Sequence, residues 1–240
     1  MQDHEYLNGW IHHSMAVIGG FLGVYALLCR ADFFGNAQTS NLLYIVTSLL
    51  GCNWLDVLIR IGGVFLYLAG IALTIFWDKK WHRNLHCLSL TVTAASILLL
   101  GFLPADMDSI LGLYPIFFAM AIQWNSFPGA HGYVSSSIFS TNNIRQIANS
   151  LSEYCITHDR KKLDKAAFFT QTILCFHIGA AFAWCAHHLF AIQSVWCGFI
   201  PLALSAILVA KELQLSASSI PVTIRSKDVS MQRKEESPIL

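Results

Sequence analysis

Asn36, Gln38, Thr39 and Asn41 crowd polar groups into one short stretch of a chain otherwise rich in apolar residues, and Ser140, Thr141, Asn142 and Asn143 do the same in its second half. A Thr or Asn that opens a helix can accept a bond from a free first-turn N–H, a cap worth ~1 kcal/mol. Capping accounts for one or two residues of each cluster, not for four. The first turn of a helix also carries partial positive charge and aims N–H groups at whatever lies ahead of it, which suits an anion or a carboxylate. A ligand- or pore-lining role therefore stands beside a structural one, in which these side chains cap helices and bond neighbours inside a bilayer at ~1 kcal/mol each. Arg145 follows the second cluster and is the charged residue best placed to join it. An arginine at membrane depth costs ~2.5 kcal/mol or more unless it reaches a partner, a cavity or the interface. Gln123 and Asn125 end an apolar run just before the second cluster and could line the same cavity, or bond the helix that Thr141 opens.

Other chemistry is poorly supported. The ten histidines include two adjacent pairs, His12–His13 and His187–His188. Neighbours on a helix point about 100° apart and do not readily share one ion. No HExxH and no acidic residue beside a histidine pair is present, so no metal and no cofactor is expected. His177, deep in an apolar run, could instead shuttle protons. Ser135, Ser136 and Ser137 lie near His131, but no GxSxG elbow accompanies them and no Asp is placed to orient the histidine, so an enzyme is not expected. The seven cysteines have no CxxC spacing, and those in apolar runs read as small fillers.

These residues must be positioned by elements of a membrane protein. The 240 residues are 55% hydrophobic and only 12% charged, with mean hydropathy +0.53; soluble domains run near 25% charged. A net charge of +1 and the lack of a basic stripe exclude a nucleic-acid binder. Crossing ~30 Å of hydrocarbon takes ~20 apolar residues. The runs Ile11–Cys29, Val57–Trp77, Leu85–Leu103, Ile110–Phe127, Ala166–His187 and Ala191–Ala210 qualify as six spans. The first carries no basic flank or cleavage site and is read as a true span. Thr39–Leu50 and Thr141–Leu151 are helical in composition but too short and polar to cross alone.

Basic residues orient the spans. Lys79, Lys80 and Arg83, then Arg160, Lys161, Lys162 and Lys165, then Lys211, Arg225, Lys227, Arg233 and Lys234 make twelve of the 15 Lys and Arg, while the loop Pro104–Ser109 has none. All three groups are expected in the cytoplasm. An odd number of crossings then separates Asp106 from Arg160, so Thr141–Leu151 is a re-entrant half-helix from the cytoplasmic side. Thr39–Leu50 dips in from outside, and both termini are cytoplasmic. Non-helical backbone at that depth is tolerated only against protein or a watery cavity. From about residue 215 to 240 the chain turns to Ser, Pro and mixed charge and reads as a disordered cytoplasmic tail.

At an offset of 102 residues Gln38–Leu42 aligns with Ser140–Ile144, and the order long, short, long, long recurs. Residues 11–104 and 110–210 are thus two repeats of three crossings with opposite orientation, the plan of many secondary transporters. A parallel arrangement of four spans each competes with it, but places Arg160–Lys165 outside.

The segments Gly19–Ile45 and Ala119–Leu151 resemble the two signatures of the YoaK family, a domain of unknown function found in bacterial multi-pass membrane proteins. In that family the first runs roughly G-F-x-D-A then F-x-N-x-Q-T-G-N-L, and the second G-x-Q-N then a T-G-N-L element. The likeness extends over Gly19–Ala210. Ser40 and Asn142 stand where the family favours glycine, and Gly23 where it often has Asp. The resemblance implies a multi-pass membrane protein and brings no established activity.

The expectation is an all-α polytopic protein of the cell inner membrane: six transmembrane helices plus two re-entrant half-helices in two inverted three-span repeats. It would pass a small polar or anionic solute through a site at the two TxN half-helices, with the lipid bilayer as its surroundings. The alternative is a scaffold or partner subunit whose polar motifs only bond helices together.

Overall fold

Side-chain caps set where the long helices begin. Asn53 accepts a bond from the Asp56 N–H at 3.3 Å, Asn84 from that of Cys87 at 3.0 Å, and Asp159 from that of Lys161 at 3.0 Å. The computed structural model describes residues 2–31 and 33–218. Its helices are α1 (Gln2–Ala26), α2 (Thr39–Leu50), α3 (Trp54–Lys79), α4 (Leu85–Phe102), α5 (Tyr114–Ser126), α6 (Thr141–Thr157), α7 (Arg160–Phe190) and α8 (Phe199–Ser218). A π turn (Leu27–Ala31) ends α1, a 3-10 turn (Leu111–Leu113) precedes α5, and a longer one (Ala191–Gly198) joins α7 to α8. The fold is helical except for a hairpin of β1 (Gly129–Ala130) and β2 (Tyr133–Val134). Its loop residues His131 and Gly132 have φ of 54° and 72°, the positive pair that a two-residue hairpin turn requires.

Four helical runs are long and apolar enough to cross a membrane: His4–Arg30, Trp54–Lys79, Leu85–Phe102, and Arg160–Ser218, which contains both α7 and α8. Within the last run the chain breaks at Ala191, whose φ is 49°. The expected span Ile110–Phe127 is realised differently. Its α5 has only 13 residues, roughly 20 Å of helix, behind the 3-10 turn. It lies at the centre, with Phe117, Met120, Ile122 and Gln123 fully buried. In the first candidate span 78% of the apolar window is buried, against 22% in α3. Apolar side chains such as Leu68, Ile75, Leu98, Ile178 and Leu204 are exposed, a surface suited to lipid rather than water. These are the helices of a membrane protein. At the C-terminal side α8 runs on to Ser218, past the expected boundary at residue 215; the rest of the expected tail lies outside the described residues.

Glycine lets the two central crossings close up. A Cβ on Gly20 of α1 would sit 1.8 Å from the Phe176 carbonyl oxygen, and one on Gly179 of α7 would sit 1.9 Å from that of Val17. The helix pairs exchange under the 102-residue offset. Helix α1 packs on α7 and α8 as α5 packs on α3 and α4, and α2 lies on α3 as α6 lies on α7.

Helix ends meet in two sets. In the first, Arg30 at the end of α1 is buried and donates to the carbonyls of Pro104 (2.8 Å), Leu100 and Leu103 (both 3.3 Å) at the end of α4. Cys29 there lies 3.2 Å from His187 Nδ1 near the end of α7, a polar contact rather than mere filling. Tyr114 at the start of α5 donates to the Ile59 carbonyl of α3. In the second set, Phe168 near the start of α7 stacks with His12 and His13 of α1. His86 at the start of α4 meets Glu212 of α8 at 2.8 Å and stacks on Phe127 beyond α5. Asn125 of α5 bonds Thr74 of α3. The long helices α1, α3, α4, α5, α7 and α8 therefore alternate in direction within the bundle.

Candidate functional site

Two irregular segments turn into the middle of the bundle ahead of α2 and α6. Asn36, fully buried, fixes the first: its Nδ2 donates to the Gly19 carbonyl at 2.7 Å and the Ile138 carbonyl at 2.9 Å. Gln123, also fully buried, fixes the second by donating to the Met15 carbonyl at 2.9 Å and to Ser137 Oγ at 3.1 Å. The third residue of each short helix is a buried asparagine. Asn143 accepts from Ser135 Oγ (3.1 Å) and the Ser136 N–H (3.3 Å), and donates to the Ser136 carbonyl at 2.8 Å. Asn41 donates to Gln38 Oε1 (2.9 Å) and the Arg60 carbonyl (3.0 Å), and accepts from Arg60 Nη1 at 3.4 Å.

Arg60 is more than the surface pair with Asp56 that spacing suggests. The pair exists at 2.7 Å, but the guanidinium is largely covered, lying against Asn41 and 4.6 Å from the centre of the Tyr44 ring. Helix α2 folds back on α3 and leaves it little room to reach water. Arg60 thereby braces the first cluster.

The N-cap residues are Gln38 and Ser140, and neither bonds a first-turn N–H through its side chain. Thr39 and Thr141 are the first helical residues rather than caps. Their helices begin on one cavity of about 860 Å³. Its polar wall is Gln38, Thr39, Ser40, Thr141, Asn142 and Arg145; its apolar wall is Phe34, Ala37, Leu42, Tyr67, Trp124 and Phe139. Among the described residues two helix N-termini and one guanidinium face it and no carboxylate does, so the cavity is electropositive. Arg145 Nη2 donates to Asn142 Oδ1 at 2.9 Å and makes no ion pair among the described residues.

Of the residues singled out in the sequence, Gln38, Thr39, Thr141, Asn142 and Arg145 line the cavity, whereas Asn36, Asn41, Gln123 and Asn143 hold the backbone behind it. Asn125 is exposed and bonds Thr74 at 2.9 Å beside a smaller cavity of about 340 Å³. Ser140 is half-buried and outside the main lining. The aromatic lining carries no mark in the sequence except Phe34, which opens the F-x-N-x-Q stretch of the first signature, and Trp124, which sits between Gln123 and Asn125. Helical neighbours diverge by about 100°, so that Gln123 points into the core while Trp124 reaches the cavity.

The other groups weighed from the sequence have local partners. His177 lies 2.8 Å from the Ile173 carbonyl one turn back on its own helix. The three serines use their hydroxyls on Asn143, the Ile138 N–H and Gln123. His131 faces Glu5 at 3.7 Å. Among the described residues no three His, Cys, Asp or Glu side chains are grouped to hold a metal ion.

The model of a family described as a protein of unknown function (DUF1275) matches residues 11–208. The chain belongs to this family. The matched region runs from the first turns of the first candidate span into α8 and includes both short helices and every residue of the cavity wall. No curated protein and no solved structure matches the chain. Membership of DUF1275 therefore brings no activity with it, and the cavity itself has to carry the functional reading.

Proposed function

We propose that this DUF1275 member is a non-enzymatic channel or carrier that passes a small polar or anionic solute across the cell inner membrane. In this reading α1, α3, α4, α5, α7 and α8 cross the bilayer and α2 and α6 are re-entrant half-helices, forming two inverted three-span repeats with both termini in the cytoplasm. The alternation of helix directions and the exchange of packing partners support it. So does charge: Lys79, Lys80, Arg83, Arg160–Lys165 and Lys211 all belong to the set of ends that includes the start of α1, the side that positive residues favour in the cytoplasm. The observation that carries the proposal is the convergence of two uncapped helix N-termini and Arg145 on one cavity with no carboxylate in its wall among the described residues.

The test is solute flux into liposomes holding the purified protein. Thr141→Ala and Arg145→Ala should remove flux while the detergent-solubilised protein keeps its elution profile and unfolding midpoint. A second reading, a scaffold without flux, draws on the bonds that Asn36, Gln123 and Asn143 spend on backbone. It wins if liposomes holding the parent protein show no flux above empty ones, or if both variants simply lower the yield of folded protein.

A further inference from the structure

The cavity is divided in its chemistry, and that division narrows what it would hold. This step rests on the reading of the cavity as a solute site. Phe34, Tyr67, Trp124 and Phe139 give four aromatic rings to its lining. Trp124 and Phe139 already meet edge to face, their centres 5.3 Å apart and planes at 68°, a corner formed before any ligand arrives. The same lining carries Arg145 and the first residues of the two short helices. Among the described residues Arg145 has only a neutral amide oxygen as its partner. Gln38 Nε2 is a buried donor with no acceptor among the described residues.

A bare inorganic anion would satisfy the polar wall and leave the rings against water, in a space many times its own size. A neutral apolar molecule would fill the aromatic wall and leave the guanidinium unpaired. The volume of about 860 Å³ falls in the range of pockets that hold molecules of drug size. One planar guanidinium matches one carboxylate in charge and in fork geometry. We infer that the cavity binds an organic monocarboxylate with an aromatic or similarly bulky apolar body, its carboxylate toward Arg145 and the start of α6 and its body among Tyr67, Trp124 and Phe139.

Binding is measured by calorimetry on the full chain in nanodiscs, with empty nanodiscs as the reference, using benzoate, acetate, chloride, phosphate and benzyl alcohol. Benzoate should bind at least about tenfold more tightly than each of the other four, since either wall alone forfeits a contact worth that much. Arg145→Gln should weaken benzoate by about tenfold or more, as removal of a charge-assisted bond does. Arg145 is exposed, so this change should not disturb folding. Trp124→Leu should weaken benzoate and leave any residual acetate binding as it was. Acetate, chloride or phosphate binding as tightly as benzoate overturns the inference, as does benzyl alcohol doing so, or benzoate that ignores both variants. Flux is read separately. Benzoate binding without flux of any solute upholds the ligand class and defeats the transport reading; flux of small anions without benzoate binding does the reverse.

Discussion

Asn143 and Thr141 are two positions apart and do opposite work. Asn143 is 1% exposed and answers three polar groups of Ser135 and Ser136. Truncation leaves those groups buried without partners, and each such loss costs ~1–3 kcal/mol. Asn143→Ala should therefore lower stability by ~2 kcal/mol or more, measured as a fall in the thermal unfolding midpoint in detergent. Thr141 is exposed on the cavity wall, and Thr141→Ala should stay within ~0.5 kcal/mol of the parent in the same assay. The polar clusters were legible in the sequence because four polar residues in so apolar a chain need a reason. Their division into buried braces and cavity-facing groups was not. That division depends on which face of each short helix meets α3 or α7, and periodicity within a single turn does not report it.

Helix α2 is found where composition places it, over Thr39–Leu50. Helix α6 begins at Thr141 as expected but continues to Thr157, its last turns largely exposed and tied to α7 by the ion pair of Glu153 with Lys162 rather than ending where the apolar run stops. Helix α5 is shorter than its apolar run. Pro115 fits the first turn of a helix, and the residues before it tighten into a 3-10 turn. The hairpin at Gly129–Val134 leaves no trace in the sequence pattern, since strands of two residues are too short to show alternation. The close approach of α1 and α7 is specific to its glycines. A methyl group at Gly20 meets the backbone of Phe176, which cannot swing aside. Gly20→Ala should cost ~1–3 kcal/mol by forcing the helices apart. The measurement is the unfolding midpoint of the purified protein, and an unchanged midpoint would mean that the crossing is looser than described.

Across the whole molecule, the basic residues sort into two kinds. Those grouped at helix ends are the ones on which the proposed orientation rests. Arg30, Arg60 and Arg145 stand alone and differ in what they do, since Arg30 closes the end of α4, Arg60 braces Asn41 and Arg145 charges the cavity. Sidedness can be measured directly. In a background free of the seven cysteines, a single cysteine at His158 should react with a membrane-impermeant thiol reagent only from the cytoplasmic side, and one at Asp106 only from the opposite side. Both positions are exposed. Reaction of both from the same side would remove the odd number of crossings between them, and the inverted arrangement with it.

In the inverted-repeat arrangement proposed above, the bond from Asn36 to the Ile138 carbonyl has a consequence for the ancestry of such a chain. Ile138 is the position that matches Asn36 at the 102-residue offset, so at this one junction the first half contributes a side chain and the second contributes main chain. Two identical halves meeting on an axis would have to supply both or neither. Fusion into one polypeptide lifts that requirement and lets matched positions specialise as donor and acceptor. Once they have done so, the halves are no longer interchangeable parts: each is shaped to the other's difference.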